Sequence, residues 1–276
     1  MEQIFISYGD KFFSKSLKQL LRQAKSSKRF DKVIGYRPTD LPSAITSSPL
    51  FLFKKGGGFW IWKPYIIYNA LQQCEEGDVV YYADAGCTLN VNSEEWDTFK
   101  NEIQTHAAIF FQYRSNVLYD GWDKYCKKTS NNSPKILHWI KPATAKYFTE
   151  FFGNQDFLQY NKIWGGSFII KKTPQILFFI EQWLKISIFH PELICDPYGK
   201  ELSNIPESFN EHRHDQAILT PLLYRFKDDF NILIMPESSE SEKNNAAIVA
   251  SRRIIWTWNL FDKIAFRTRK ISENIF

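Results

Sequence analysis

Gly77-Asp78-Val79-Val80-Tyr81-Tyr82-Ala83-Asp84-Ala85-Gly86-Cys87 is the stretch that decides the fold. Gly77-Asp78 breaks a preceding helical pattern, and Val79–Ala83 is an unbroken apolar run. Runs of that kind belong to strands buried on both faces, in the interior of a parallel sheet. Asp84 follows at the carboxyl end of this strand, where open α/β sheets bind their ligands. Ala85 and Gly86 allow backbone or ligand to come close. An aspartate so placed suits a divalent cation that neutralises a diphosphate, because hard cations prefer oxygen ligands. It equally suits a turn or helix cap, and residue types alone leave both roles open.

The chain on either side repeats the β-α-β theme. Gln3–Tyr8 reads as a strand ending at the turn Gly9-Asp10, and Phe13, Leu17, Leu20, Leu21 and Ala24 share one helical face. The opposite stripe is Lys11, Lys15, Lys18, Arg22 and Lys25, and Val33–Tyr36 reads as a second strand. Pro64 fits the first turn of a helix continued by Ile67, Ala70, Leu71 and Cys74. Further helices are expected over 93–104, 142–152 and 174–187, and further strands over 107–111, 163–170 and 230–235. Residues 39–58 and 125–134 read as irregular. Residues 190–211 form a loop long enough to be a lid or substrate loop, and 237–245 (ESSESEKNN) is a polar, mobile segment by composition. Alternating strands and helices predict an α/β fold with a mostly parallel sheet.

The 276 residues are 44% hydrophobic and 24% charged, which excludes a disordered, collagenous or disulfide-scaffold chain. Aromatics make up 17%, a surplus suited first to a core and second to stacking on sugar rings or bases. The net charge of +5 is unevenly spread: residues 11–32 hold eight bases and one acid, and residues 251–276 hold six and two. The remainder is therefore acidic, by about six charges once +7 and +4 are taken from +5. Patches of this kind suit an anionic surface such as a membrane or polysaccharide. Cys74, Cys87, Cys126 and Cys195 have no CxxC spacing and read as reduced thiols of a cytoplasmic protein. The N-terminus has no signal-peptide pattern and no apolar run reaches 18 residues, so a cytoplasmic protein is expected, peripheral at most to the inner face of the plasma membrane.

Three other stretches carry candidate chemistry. Gly56–Gly58 lacks the Gly-Lys-Ser/Thr ending of a phosphate-binding loop and reads as a flexible hinge before Phe59-Trp60-Ile61-Trp62-Lys63. Lys63, at a helix N-terminus, suits a phosphate or simple solvation. Asn210-Glu211-His212-Arg213-His214-Asp215-Gln216 is rich in titratable groups; Asp215 is a candidate helix N-cap, and Pro221 predicts a helix that starts late or bends. No GxSxG elbow exists, so a serine hydrolase is not indicated.

Tyr8-Gly9-Asp10, Gly57-Gly58-Phe59-Trp60-Ile61-Trp62-Lys63-Pro64-Tyr65, Tyr82-Ala83-Asp84-Ala85-Gly86-Cys87, Trp164-Gly165-Gly166-Ser167-Phe168 and Glu211–Gln216 occur in an order that resembles nucleotide-sugar-dependent glycosyltransferases of the GT-A type, in particular a bacterial group linked to capsule and lipopolysaccharide synthesis. The resemblance implies a GT-A-like, Rossmann-type sheet flanked by helices over residues 1–250, with 251–276 as a basic, aromatic C-terminal extension. It implies donor binding by Tyr8, Gly9, Asp10, Trp62, Lys63, Asp84, Ala85 and Gly86, and acceptor binding by Trp164, Gly165 and Gly166. It implies catalytic roles for Asp215, Gln216 and His214, with Asp215 and Gln216 facing the transferred sugar. Related transferases carry Asp-x-Asp, but here Gly86 stands where the second Asp would be. Either a histidine, His212 or His214, completes an Mn²⁺ or Mg²⁺ site with Asp84, or the reaction does not depend on metal.

The implied chemistry is coherent. Sugar transfer develops negative charge on a departing diphosphate, met by Lys63 or a cation at Asp84, while Asp215 serves as base or lies beneath the anomeric carbon. The acceptor is a saccharide or lipid-linked glycan of a surface polysaccharide. A degenerate transferase fold that binds nucleotide or glycan without turnover is the alternative. Nucleic-acid binding through Lys11–Lys32 is not expected. Arg252–Phe261, in which Arg, Trp and Phe alternate, is the expected membrane-docking segment.

Overall fold

A computed structural model describes residues 1–119, 122 and 132–251. Cys126 and the tail 252–276, including the expected docking segment, lie outside the described residues.

The chain folds as a mixed α/β structure around a six-stranded, mostly parallel sheet flanked by helices. In chain order the strands are β1 (Gln3–Tyr8), β2 (Lys32–Tyr36), β3 (Val79–Ala83), β4 (Thr88–Leu89), β5 (Ala108–Gln112), β6 (Ile163–Lys171), β7 (Ile232–Pro236) and β8 (Ile248–Val249). The main sheet has the order β2-β1-β3-β6-β5-β7. β1 pairs in parallel with β2 and β3, β5 pairs in parallel with β7, and only β6 runs antiparallel to its neighbours. All five residues of β3 are buried, as its unbroken apolar run predicts for an interior strand. The Gly-Gly pair in β6 does not interrupt the strand; instead the β5–β6 register shifts between Ile109 and Phe111.

The longer helices are α1 (Ser14–Ser27), α2 (Lys63–Gln72), α3 (Glu95–Thr105), α4 (Pro142–Phe152), α5 (Pro174–Phe189) and α6 (His214–Phe226). α1 buries Leu17, Leu20 and Ala24 and leaves its lysine stripe outside. Pro64 sits in the first turn of α2, as expected. Thr173 caps α5 by accepting the Ile176 N–H at 3.2 Å. α6 does not start late: it begins at His214 and continues through Pro221 to Phe226.

Two stretches differ from the sequence expectation. Residues 190–211 are fastened down by short helical turns, with Leu193 and Ile194 buried, and Leu193 O accepts from Thr144 Oγ1 at 2.7 Å. Residues 237–251 are held in place by many bonds. Glu95 accepts from Ser238 Oγ at 2.6 Å and from the Ala247 N–H at 2.7 Å, and β8 pairs with β4 in a small second sheet. That sheet brings residues 248–249 beside the loop that follows Asp84. Among the described residues no helix is long and apolar enough to cross a membrane, and the described cysteines Cys74, Cys87 and Cys195 are free thiols.

One buried group stands apart. Lys162 is fully buried, and its Nζ has no hydrogen-bond partner among the described residues. It lies 3.2 Å from the Tyr113 ring centre, 4.4 Å from that of Trp122 and 4.9 Å from that of Trp139. Burial pushes its pKa well below the usual lysine range.

Candidate active site

The carboxyl ends of β1 and β3 open into a cleft of about 350 Å³. Tyr8, Gly9, Asp10 and Phe13 line one side, Gly56, Gly57, Trp60 and Trp62 another, and Asp84–Cys87 the floor; Trp164, Gly166, Glu240 and Ala250 close it. This is where the topology of a twisted α/β sheet leaves room for a ligand. The volume is within the usual range for small-molecule sites.

A buried charge cluster supports the floor. Lys63, at the start of α2, projects inward with its side chain 2% exposed. Its ammonium donates to Asp215 Oδ2 at 2.6 Å and to Gly165 O at 2.9 Å, and stands 3.4 Å from Asp84 Oδ1. Burial works against the charged amine, but Asp215 and Asp84 outweigh it and raise its pKa. Asp215 is buried too, and burial raises its pKa against the pull of Lys63. Asp84 also accepts from the Tyr82 hydroxyl. With its side chain 35% exposed, Asp84 is the member of the cluster that faces the cleft.

One wall depends on backbone handedness. Gly56, Gly57, Gly58, Phe59 and Trp60 have φ of 58°, 58°, 97°, 56° and 59°, a left-handed helical turn. L-residues with side chains pay roughly 1–2 kcal/mol each in that conformation, so the three glycines make the turn affordable. Its amides are tied down, Phe59 N–H donating to Lys55 O at 2.7 Å and Trp60 N–H to Gly56 O at 3.2 Å. The run is thus an ordered turn rather than a hinge. Gly56 O accepts from Trp62 Nε1 at 2.9 Å, and the Trp62 ring stacks on Tyr8 at 3.9 Å. On the opposite wall Trp164 lies across Gly166, where an added Cβ would come within 2.3 Å of the indole. Trp164 Nε1 donates to Glu240 Oε1 at 3.2 Å.

Most of the expected residues converge here. Tyr8, Gly9, Asp10, Trp62, Asp84, Ala85, Gly86, Trp164 and Gly166 line the cleft, and Lys63, Gly165 and Asp215 stand directly behind it. Asp215 does not cap α6; its carboxylate is turned to Lys63 instead. Gln216 follows in the same turn, its Oε1 buried and without a partner among the described residues.

The histidines are placed otherwise than expected. His212 Nδ1 accepts the Lys141 N–H at 3.1 Å, and Nε2 donates to Leu193 O at 2.9 Å, so neither nitrogen is free for a metal beside Asp84. His214 Nδ1 donates to Ile194 O at 2.9 Å, and its ring stacks on Trp60 at 5.5 Å. It braces the left-handed turn from behind and does not line the cleft. Burial holds His212 well below the usual histidine range and His214 at about 4, so both are neutral imidazoles.

Nor does the donor set fit a divalent cation held by Asp84. One of its oxygens is already shared by Tyr82 and Lys63, and Lys63 supplies positive charge between the two carboxylates. No group of three or more His, Cys, Asp or Glu suited to a metal occurs among the described residues.

Glu240 was missed by sequence reasoning because it lies in a run that reads as solvated surface. No local signal marks it; the β4–β8 pairing brings it to the cleft. The residues 190–211 do not line the cleft.

No protein-family model and no curated protein matches the chain. Solved structures similar to it include a glycosyltransferase involved in the glycosylation of the major capsid of PBCV-1, with 10% identity and a TM-score of 0.47, covering 90% of this chain and 94% of that one. Mouse xyloside xylosyltransferase 1, in its apo form, has 10% identity and a TM-score of 0.39, with 86% and 85% covered. Core-mannan synthase A from Aspergillus fumigatus, in an Mn/GDP form, has 11% identity and a TM-score of 0.39, with 85% and 72% covered.

Proposed function

We propose that this chain is a glycosyltransferase of the GT-A type, moving a sugar from a nucleotide-sugar donor to a saccharide or lipid-linked glycan acceptor in the synthesis of a bacterial surface polysaccharide such as capsule or lipopolysaccharide. One observation carries the reading. The ordered motifs that resemble such transferases, far apart in sequence, meet at one cleft, with Asp84 on its floor and Lys63 and Asp215 locked behind it.

The nucleotide lies along Tyr8, Gly9, Asp10 and the Trp62 wall, where ring stacking and backbone groups are available. The acceptor enters against Trp164, whose indole is fixed by Glu240 and Gly166. Asp84 faces the transferred sugar. As the bond from the anomeric carbon to the diphosphate oxygen breaks, its electron pair leaves with the diphosphate and the acceptor oxygen forms the new bond. The hydroxyl proton passes to Asp84, the exposed carboxylate of the cluster. Lys63 and Asp215 are positioning residues: they fix the orientation of Asp84 and keep the floor from carrying two uncompensated charges. The protein works in the cytoplasm, at the inner face of the plasma membrane.

The melting temperature in the presence of each nucleoside diphosphate tests the donor assignment. One of them raises it, by the amount that binding to the folded state demands, and Trp62→Ala abolishes the rise. No shift from any nucleotide refutes a nucleotide-sugar donor. Binding without turnover of any nucleotide sugar favours the non-catalytic alternative.

A further inference from the structure

The basic patch of residues 11–32 is sorted by the structure into two groups. Lys32 pairs with Glu2, and Arg29 donates to Val91 O at 3.0 Å while lying over Trp96. Lys11, Lys15, Lys18, Arg22 and Lys25 are exposed and have no ion pair among the described residues. Together with Arg37 from the end of β2 they line a groove of about 830 Å³ beside α1. Asp10 is the one acid in that groove, and its Oδ1 is taken by the Phe12 and Phe13 N–H groups at 2.8 and 3.0 Å. Six cations facing solvent without an ion pair among the described residues repel one another, a cost that an anionic partner removes.

We infer that this face of α1 is a docking surface for an anionic phospholipid bilayer. Three features favour a bilayer over a compact anion or a nucleic acid. First, Lys15, Lys18, Arg22 and Lys25 follow one another along the helix over about 15 Å. They form a row that meets many headgroups rather than converging on one. Second, an exposed apolar tip precedes the Gly56–Gly57 wall of the cleft by a few residues. Leu52 is 85% exposed and Phe53 54% exposed, next to Lys54 in sequence. Further along the same segment, at Gly57, the chain passes the Gly9-Asp10 turn that precedes α1: an added Cβ there would come 3.6 Å from Asp10 Oδ2. Cations flanking exposed aliphatic and aromatic side chains suit the headgroup region, where apolar groups insert and bases meet phosphate. Third, the rest of the body apart from the two basic segments is acidic, so an anionic surface attracts this face and repels the others.

The groove shares Gly9 and Asp10 with the cleft, so docking here sets the cleft mouth at the membrane surface. A glycan carried on a lipid then meets the cleft at the bilayer surface. Docking itself needs no turnover, and it stands or fails apart from the transfer reaction.

The test is co-sedimentation of the full chain with phosphatidylcholine vesicles, with and without phosphatidylglycerol. The chain binds the anionic vesicles and not the neutral ones. Lys15→Gln/Lys18→Gln/Arg22→Gln weakens binding by roughly a hundredfold, at roughly fivefold per basic residue, with the melting temperature unchanged. Leu52→Ser weakens it severalfold. Undiminished binding by the triple variant overturns the docking surface, as does binding that ignores phosphatidylglycerol. Retention of the wild-type chain on duplex DNA without any on anionic vesicles overturns it as well, and assigns the stripe to nucleic acid.

Discussion

Lys63 Nζ stands 2.6 Å from Asp215 Oδ2, a buried ion pair between residues 152 positions apart in the chain. It joins the first turn of α2 to the first turn of α6 and fixes the floor on which Asp84 sits. Removing one partner leaves a buried charge unpaired, which costs about 3–5 kcal/mol, whereas replacing both with apolar residues is often near neutral. Lys63→Met and Asp215→Leu are each expected to lose that much in urea unfolding, and the double variant to recover most of it. Losses that simply add would contradict a direct pair.

Gly166→Ala tests the wall proposed to meet the acceptor. The added methyl would fall 2.3 Å from the Trp164 indole, so the ring must leave its place over the strand. Overpacking of this kind costs about 1–3 kcal/mol. The variant is expected to lose stability in that range and, with Trp164 freed from Glu240, to shift its tryptophan emission to the red. In kinetics the acceptor KM rises more than the donor KM.

His214 gives the fold a pH dependence. Its folded pKa, held at about 4 by burial, is below the ordinary 6.5, so its contribution to stability is complete above pH 6.5. That contribution is lost as pH falls from 6.5 through 4, because the unfolded chain takes up the proton first. At 1.36 kcal/mol per pH unit the loss is about 3 kcal/mol. Asn tolerates the positive φ of 46° at this position and keeps a donor near Nδ1. His214→Asn is therefore expected to fold and to show a shallower stability loss between pH 6.5 and 4. An unchanged slope would contradict the assignment.

Lys162 is a buried amine with no hydrogen-bond partner among the described residues, enclosed by Tyr113, Trp122 and Trp139. An unsatisfied buried polar group costs about 1–3 kcal/mol. Lys162→Met keeps the length of the side chain and removes the amine, and it is expected to raise the unfolding free energy by about 1 kcal/mol or more. A destabilised variant would mean that the ammonium is held charged by the aromatic faces.

What could be read from the sequence follows the range of the signals. β3 and the position of Asp84 were legible, because five apolar residues and the carboxylate that ends them are neighbours in the chain. The Lys63–Asp215 pair was not, since nothing local tells a helix-starting lysine to point inward across 152 positions. The His-x-His spacing of His212 and His214 suggested ligands, but spacing does not say which way the rings turn, and backbone carbonyls claimed both. Three consecutive glycines suggested freedom, where the physical need was a left-handed turn. The Ser/Glu-rich run hid Glu240, because its partners Tyr113 and Trp164 come from distant strand ends.

Whether Asp84 accepts the proton in a nucleotide-sugar transfer is decided by one comparison. Nucleoside diphosphate release is measured over a panel of nucleotide sugars, with a glycan acceptor present, for the wild-type chain and Asp84→Asn. Release from one donor is expected for the wild type and a fall of roughly 10²–10⁴-fold in the variant, with binding of the nucleoside diphosphate retained. Release that is equal in the two proteins, or absent for every donor, would contradict it.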